Sequence, residues 1–359
     1  MRTKVILVTL AMLLLLTSCA VTDPSENERP DMAGAADTGS SEMPTPEATP
    51  FMYEQYESQE LIPDLSFKRG INIHSQKDHS NGDTFTSLGY HSFYGGDAKA
   101  PKWGLAQWDS GPSLTAESVG NDDTELTDNY SKLFRYDPAS NIMTFRLNTA
   151  AYYNGKPSRE GDYWPHLLIE QPEFVFGSNL EKQKQFYSCS ADAIVCSFDI
   201  KLDDYNITEI EGDWVRAAQF LMYFYVKGTK TNDFCWFGLQ LFDNRWELND
   251  HYIGYDGGKA DASGAMIFSI GSKYIYTSKT LYKDGKPNPG GDWIHVSVDI
   301  KPFLEEMFEY GKKDNYFKAN SLDELIVNGM NLGWETIGTF DHTMSVKDLH
   351  LTSYVKKSD

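Results

Sequence analysis

The stretch QFLMYFYVKGTKTNDFCWFGLQLFD, residues 219–243, decides the fold. It contains two runs rich in Phe, Tyr, Trp, Val and Leu, 219–226 and 234–242. The polar segment between them, 227–233, supplies the Gly, Thr and Asn that turns prefer. This pattern predicts a β-hairpin of two long strands.

Each of these two runs divides into two faces, because successive side chains of a strand point to opposite sides. One face is apolar and is predicted to pack in the core: Phe220, Met222, Phe224, Val226, Cys235, Phe237, Leu239 and Leu241. The other face combines aromatic rings with amides: Gln219, Leu221, Tyr223, Tyr225, Phe234, Trp236, Gly238 and Gln240. Such a face suits a sugar, because pyranose C–H groups pack on rings and amides bind hydroxyl pairs.

The N-terminal residues have the pattern of a secretory signal. Arg2 and Lys4 precede an apolar run over 5–16, which is too short to span a membrane as a helix. The sequence Leu-Thr-Ser-Cys over 16–19 resembles the bacterial lipobox, which implies cleavage before Cys19 and lipid attachment to its thiol. The alternative is an ordinary cleaved signal. We therefore expect a protein of the bacterial cell envelope, lipid-anchored outside the cytoplasmic membrane.

Residues 20–60 are predicted to be a disordered acidic linker. They contain ten Asp or Glu against one Arg, with many Ser, Thr, Pro and Ala, so they cannot bury enough apolar surface to fold. As a flexible coil these residues would span about 35 Å. The segment would act as a stalk between the lipid and the folded domain.

The net charge restricts the class of partner. The chain carries −20 in total, of which +2 falls in residues 1–19 and −9 in residues 20–60, leaving −13 for residues 61–359. No basic patch is visible, which argues against nucleic acid or another polyanion as the partner.

Residues 61–359 have a length that suits one β-sandwich with long loops. Aromatic residues make up 14% of the chain and recur in short alternating runs separated by Gly and Pro clusters, which predicts an all-β domain. Besides the hairpin, the predicted strands are 142–149, 164–171, 193–201, 265–270, 273–278, 293–300, 329–336 and 344–352.

Two regions depart from the strand pattern. Residues 302–312 have helical spacing after a Pro suited to a first turn, which predicts one short helix. Residues 61–140 are predicted to form edge strands and insertions, with strands at 71–74 and 103–108. A separate small domain over 61–140 is the alternative.

Three cysteines follow Cys19, so at most one disulfide can form among Cys189, Cys196 and Cys235. Cys196 and Cys235 lie on apolar strand faces, where small buried side chains are expected. No Cys/His spacing resembles a zinc site, and no cofactor is certain. The acidic loops at 121–124 and 256–261 are candidates for a structural Ca²⁺, but neither has the EF-hand spacing, which favours solvated loop acids instead.

Several other predicted strands also carry a polar and aromatic face opposite an apolar one. If these strands neighbour the hairpin in one sheet, they form one binding surface. Its predicted members are Arg146, Asn148, Trp164, His166, Glu170, Tyr223, Tyr225, Trp236, Gln240, His295, Asp299, Asn331 and Glu335. The alternative is the ordinary solvent face of a sandwich, which also carries polar residues.

The C-terminal run WIHVSVDIKPFL, a short helix and GMNLGWETIGTFDHTMSVKDLHL, within 293–351, resemble the close of a secreted jelly roll. The pattern over 140–354 is similar to carbohydrate-binding modules and concanavalin A-like glycan enzymes. That resemblance implies a jelly-roll β-sandwich of two antiparallel sheets with an extracellular glycan lying across the concave sheet. The Glu-x-Asp-x-x-Glu strand motif of laminarinase-type hydrolases is absent from the sequence.

Three functions remain open at this level. A binding protein would hold polysaccharide on the aromatic face without cutting it, and a structural or protein-docking surface protein would use the same face without any sugar. An enzyme would cleave the glycan there. A hydrolase requires two carboxylates roughly 5 to 9.5 Å apart, and Glu170 and Glu335 are the candidate pair.

A second enzyme class has different requirements. Jelly-roll polysaccharide lyases use Tyr and His for proton transfer beside Gln and Arg. The residues of matching type are Tyr223 or Tyr225, His166, Gln240 and Arg146. The acidic balance of the chain disfavours the polyuronate that such an enzyme would bind.

Overall fold

The computed structural model describes residues 55–257 and 262–357. In chain order the helices and strands are β1 (Tyr56–Glu60), β2 (Ile71–His74), β3 (Ser87–His91), β4 (Trp103–Ala106), β5 (Glu125–Thr127), β6 (Lys132–Asp137), β7 (Ile142–Asn148), α1 (Ala150–Tyr153), β8 (His166–Gln171), α2 (Ser178–Tyr187), β9 (Ala193–Thr208), β10 (Ala217–Gly228), β11 (Phe234–Asp243), β12 (Tyr252–Tyr255), β13 (Met266–Ile270), β14 (Tyr282–Lys283), β15 (Lys286–Pro287), β16 (Ile294–Asp299), α3 (Lys301–Lys313), β17 (Leu325–Ile337) and β18 (Thr339–Lys356).

Two large sheets form a sandwich, which confirms the predicted jelly-roll β-sandwich. Over the described ranges, the first sheet has seven strands in the order β16-β9-β18-β7-β6-β5, with β1 also paired to β18. The second has nine strands in the order β12-β13-β11-β10-β17-β8-β4-β2-β3. Most neighbours are antiparallel, but β11 with β13 and β2 with β4 are parallel pairs.

The core lies between the two sheets and is rich in aromatic rings. Phe145 of the seven-stranded sheet meets Phe220 of the nine-stranded sheet edge-on at 5.4 Å, and Phe220 in turn meets Trp334 at 5.0 Å. The indole nitrogen of Trp334 donates a hydrogen bond of 3.1 Å to the carbonyl of Phe145, across the sandwich. This bond satisfies a polar atom that burial would otherwise penalise.

The predicted hairpin is present as β10 and β11, paired antiparallel with a register shift between Phe220 and Leu221. Its predicted apolar face is confirmed, since all eight of those side chains are at most 1% exposed: Phe220, Met222, Phe224, Val226, Cys235, Phe237, Leu239 and Leu241. Strand alternation therefore assigned the two faces of these strands correctly.

Helix α3 confirms the predicted short helix. Pro302 lies in its first turn, and Phe303, Met307 and Phe308 are buried against the core. Lys312 and Lys313 end it, where positive charge favours the helix C-terminus. The 10-residue helix α2 was not predicted, because SNLEKQKQFY buries only Tyr187 and has almost no apolar stripe.

Two segment predictions are corrected. Residues 56–60, assigned to the disordered linker, form β1 and pair with β18, because an edge strand gains its order from backbone hydrogen bonds to a long neighbour. Residues 273–278 are not a strand: a 3₁₀ turn covers Ser272–Tyr274, and the Tyr276 hydroxyl bonds to the Leu241 carbonyl. Alternation over so few residues does not distinguish a strand from a turn.

Three cysteines within the described ranges, Cys189, Cys196 and Cys235, are free and buried. This confirms the expectation that Cys196 and Cys235 are small core side chains. The signal, Cys19 and most of the linker lie outside the described residues. Among the residues that are described, no helix is long and apolar enough to cross a membrane.

Candidate functional site

The candidate site is the outer face of the nine-stranded sheet, meaning the side turned away from the core. Strands β8, β10, β11 and β17 are neighbours or near neighbours in this sheet. The residues of each strand that alternate with its core positions therefore lie on one surface. Eight of the predicted site residues are brought together there: His166, Glu170, Tyr223, Tyr225, Trp236, Gln240, Asn331 and Glu335.

Four predicted members of this surface belong to the other sheet and are corrected. Arg146 and Asn148 lie on β7, and the Arg146 guanidinium pairs with Asp341 at 2.7 and 2.9 Å. His295 and Asp299 lie on β16. Alternation along a strand defines which side chains share a face, but it does not define which sheet the strand joins.

Contacts within the seven-stranded sheet explain these polar residues. The His295 ring pairs with Asp199 at 2.8 Å on the facing strand. The Asp299 carboxylate accepts hydrogen bonds from the backbone N–H groups of Ile194 and Lys301. Burial raises the pKa of Asp299 despite those bonds. Both side chains therefore serve the local structure.

Trp164 was also predicted for this surface, and it lies at one end of it. The ring packs, partly buried, against a small cluster of Tyr153, Ala217 and Ile337. Helix α1 supplies Tyr153. Trp164 therefore helps to close the end of the face rather than form its floor.

Glycines on the outer face let rings lie flat on the sheet. A Cβ placed on Gly238 would lie 2.4 Å from the ring of Tyr223, and one on Gly329 would lie 2.6 Å from the ring of Tyr225. The His74 ring covers Gly104 in the same way, also at 2.4 Å. Of these rings only Tyr223 is partly exposed, since Tyr225 is 7% and His74 is 9% exposed, so Tyr223 is the ring that a flat ligand can reach for stacking.

Trp236 stands beside this floor of rings. Its indole meets Tyr225 edge-on at 5.1 Å and Phe234 edge-on at 4.8 Å. Its ring nitrogen donates to the Ser263 hydroxyl at 3.2 Å. Since the indole is only half-buried and is held on several sides, it forms a rigid wall at the edge of the floor.

The phenols of this face stay protonated. Burial raises the pKa of Tyr225 well above its usual range, and the negative charge of Glu170 adds to the shift. Burial likewise raises the pKa of Tyr223, with a contribution from Glu335. Both hydroxyls are therefore hydrogen-bonding groups over the physiological pH range.

One row of residues crosses the whole sheet at right angles to its strands. Register pairs connect one residue from each of the nine strands: Tyr252, Ser269, Gly238, Tyr223, Asn331, Glu170, Gly104, Asn72 and Tyr90. Eight steps of about 4.8 Å give a row of roughly 38 Å. We call this the central row. Its two end residues, Tyr252 and Tyr90, are exposed, whereas Ser269, Asn331 and Glu170 within it are at most 6% exposed.

Glu170, in the central row, has a partner that the sequence interpretation missed. The Nδ1 atom of His74 lies 3.0 Å from a Glu170 carboxylate oxygen, and both side chains are about nine-tenths buried. Phe85, which is 42% exposed, stacks on the His74 ring at 4.5 Å. In the sequence, Asn72 and His74 alternate with two Ile residues, and this alternation could have placed His74 on the polar face of a strand.

Glu335 lies elsewhere on the same face. Its carboxylate is 3.4 Å from the Nε2 atom of His166. Glu170 is opposite Asn331, four residues from Glu335 along β17, so the backbone positions of the two residues are separated by roughly 13 Å of strand. The two candidate hydrolase residues share the outer face but are not direct neighbours on it.

The two acidic loops hold their own hydrogen bonds. Asp256 accepts from Ser263, and Asp122 accepts from Thr124. Within residues 55–257 and 262–357, no group of three or more His, Cys, Asp or Glu side chains could hold a metal ion. Residues 258–261 of the second loop lie outside the description.

No protein-family model matches the chain, and no curated protein matches it. Three solved structures with similar folds are glycan-degrading enzymes. A native family 12 xyloglucanase from Bacillus licheniformis aligns over 64% of this chain and 91% of its own, at 11% identity and a TM-score of 0.35. An endoglucanase from Rhodothermus marinus aligns over 65% and 92%, at 8% identity and 0.33.

The third is the xyloglucanase domain of a type three effector from Sinorhizobium fredii, in complex with cellobiose. It aligns over 67% of this chain and 91% of its own, at 13% identity and a TM-score of 0.33. Similarity at this level assigns neither a family nor an activity. The fold assignment therefore depends on the two sheets themselves, and the site on its own contacts.

Proposed function

We propose that the outer face of the nine-stranded sheet binds polysaccharide along the central row. The observation that carries this proposal is the partly exposed Tyr223 ring, which lies over Gly238 and meets the half-buried Trp236 edge-on at 6.1 Å. Sugar rings stack on such surfaces through their C–H faces.

The polar side chains of the row supply the second requirement. Asn331 and Glu170 sit opposite each other between the aromatic positions, and Gln240 lies one row away. Amide and carboxylate groups bind pairs of hydroxyls. Because the chain carries −20 overall, an uncharged glycan fits this face better than a polyanion.

The location of the protein is part of the same proposal. A lipid on Cys19 and an acidic stalk after it would hold the sandwich outside the cytoplasmic membrane of a bacterial cell. There the face would meet extracellular polysaccharide. Labelling cells with a lipid precursor and comparing Cys19→Ala with the natural protein tests this part, and equal labelling would contradict it.

The binding proposal is tested with Trp236→Ala in affinity gels that contain xyloglucan and in calorimetry with cellohexaose. We expect at least a tenfold loss of affinity, which corresponds to about 1.4 kcal/mol. The matched control is Trp293→Ala, a half-buried tryptophan whose ring contacts Lys347 on the seven-stranded sheet. Equal losses in both variants would contradict the assignment of the face.

The alternatives give different outcomes in these experiments. Reducing ends released by the natural protein would favour a hydrolase, and an unsaturated uronate product would favour a lyase. The lyase has lost its proposed Arg146, and the raised phenol pKa of Tyr223 and Tyr225 disfavours a tyrosinate base. Retention of a protein partner without any response to glycan would favour a docking protein.

A further inference from the structure

A second row on the outer face contains Glu335 and its direct neighbours. Register pairs place His166 on β8 opposite Glu335 on β17, Glu335 opposite Gln219 on β10, and Gln219 opposite Asp243 on β11. Directly opposite residues have Cβ atoms about 5 Å apart. Glu335 and Gln219 are therefore adjacent side chains on one surface.

Two neighbouring side chains whose Cβ atoms are about 5 Å apart can bring their terminal groups to a similar separation. In retaining glycosidases two carboxyl groups lie about 5 to 5.5 Å apart, one as acid and one as nucleophile. Here one position holds the carboxylate Glu335 and the other holds an amide, Gln219. The Nε2 atom of Gln219 donates a 2.9 Å hydrogen bond to the Asp243 carboxylate, which fixes the amide, and a neutral amide does not replace the carboxylate nucleophile of that mechanism.

Asp243 cannot take over the missing role. It is 5% exposed, and both of its oxygens are bonded by the Arg245 guanidinium, at 2.8 and 2.6 Å. It lies two strands from Glu335, about 10 Å away. Its charge is therefore committed to Arg245 and to Gln219, and it holds that amide in place.

We propose that Gln219 makes this row a glycan-holding site rather than a glycan-cleaving one, by placing an amide where a nucleophilic carboxylate would complete a pair with Glu335. This inference goes one step beyond the proposed function and depends on it. Glu335 and the Gln219 amide then act as hydrogen-bonding groups for sugar hydroxyls, and the glycosidic bond is left intact.

The substitution Gln219→Glu would supply the missing group. The introduced carboxylate attacks the anomeric carbon as the glycosidic C–O bond breaks, and Glu335 gives its proton to the leaving oxygen. Water then attacks the same carbon, returns a proton to Glu335 and releases the introduced carboxylate. No other reactant is consumed.

The first test measures the juxtaposition without any glycan. Two carboxylates at this spacing repel when both are ionised, so Gln219→Glu should lower Tm at pH 7 by several degrees more than at pH 4.5. Part of this pH 7 penalty comes from Asp243, which accepts a hydrogen bond from Gln219. Adding Glu335→Gln should remove the other part and leave a measurably smaller penalty. The control is Gln240→Glu, whose penalty should not respond to Glu335→Gln. A Gln219→Glu penalty that is equally independent of Glu335 would overturn the proposal.

The second test measures chemistry with xyloglucan and cellohexaose. The natural protein should release no reducing ends, whereas Gln219→Glu should release them and Gln219→Glu with Glu335→Gln should not. Cleavage by the natural protein would overturn the proposal, as would a Gln219→Glu variant that retains xyloglucan without cutting it. If no variant binds either glycan, the proposed function fails, while the Tm comparison still decides the juxtaposition.

Discussion

The outer faces of the two sheets are built differently although both are turned away from the core. On the seven-stranded sheet, β16 alternates strictly between buried and exposed residues. On the nine-stranded sheet, every residue of β8 and all but one residue of β17 are buried. We call the outer face of the nine-stranded sheet the recessed face, because rings and ion pairs lie over its backbone. Solvent contacts the outer face of the seven-stranded sheet instead.

The contents of the two faces also differ. The seven-stranded sheet carries exposed ion pairs such as Arg146 with Asp341, whereas the nine-stranded sheet carries rings laid over glycines and the buried pair of His74 with Glu170. Solvated ion pairs contribute little to stability, while buried polar groups must be paired or functional. Buried polar pairs with rings packed over them, such as Phe85 on His74, thus distinguish the nine-stranded face from the solvated one.

The largest expected effect follows from the close packing of the recessed face. A Cβ on Gly333 would lie 2.1 Å from the carbonyl oxygen of Leu167, and the residue has φ of +151°. Gly333→Ala should therefore cost more than about 3 kcal/mol of unfolding free energy, because β8 and β17 would have to separate. Urea denaturation measures this.

A matched glycine serves as the control for that comparison. Gly290 also has a positive φ, +72°, but a Cβ there would meet nothing within 4 Å. Gly290→Ala should cost only about 1 to 2 kcal/mol, the backbone term alone. Equal losses at the two positions would mean that the recessed face is not tightly packed.

The second-largest expected effect on stability concerns the core between the two sheets. His342 is fully buried between the sheets and stacks on Trp334 at 3.8 Å. Burial lowers the pKa of His342 to about 3, whereas an unfolded histidine titrates near 6.5. As the pH falls through this interval the unfolded chain gains a proton that the folded chain excludes, so stability falls by up to about 1.4 kcal/mol per pH unit.

Comparing the natural protein with His342→Phe isolates this contribution. The aromatic replacement keeps a ring against Trp334 but has no proton to gain. Unfolding free energies measured from pH 7.5 to pH 3.5 should therefore decline less steeply in the variant. Parallel pH dependences of the two proteins would show that protonation of His342 does not affect the stability of the sandwich.

The smallest effect is expected on the solvated face. The Arg146 and Asp341 side chains are each about one-third exposed, so Arg146→Ala should cost no more than about 1 kcal/mol, and less at high salt. The affinity of the Arg146→Ala variant for xyloglucan should equal that of the natural protein. If Arg146→Ala lost as much affinity as Trp236→Ala, the assignment of glycan binding to the nine-stranded face alone would be wrong.

The sequence predicted much of the fold because alternation of apolar and polar residues along a strand shows which side chains face the core. Core positions of the hairpin and the helix after Pro302 follow from alternation and from helical spacing. Helix α2 and strand β1 were missed because neither has a strong apolar pattern, and each gains its order from contacts with distant parts of the chain.

The candidate site was predicted only in part, for the same reason. Tyr223, Tyr225 and Trp236 fell on one face because a single hairpin contains them. Arg146 and His295 were assigned to that face in error, since β7 and β16 pair within the other sheet. His74 was not considered, because its partner Glu170 is nearly a hundred residues away in the chain.

By itself, the sequence determined the class of fold, the faces of the central hairpin and the acidic balance that disfavours a polyanionic partner. Only the tertiary structure decided which strands share a sheet, that Glu170 pairs with His74, and that Gln219 rather than Glu170 lies opposite Glu335. The reason is physical: the period of a strand is local, whereas sheet membership and register depend on pairing between distant segments.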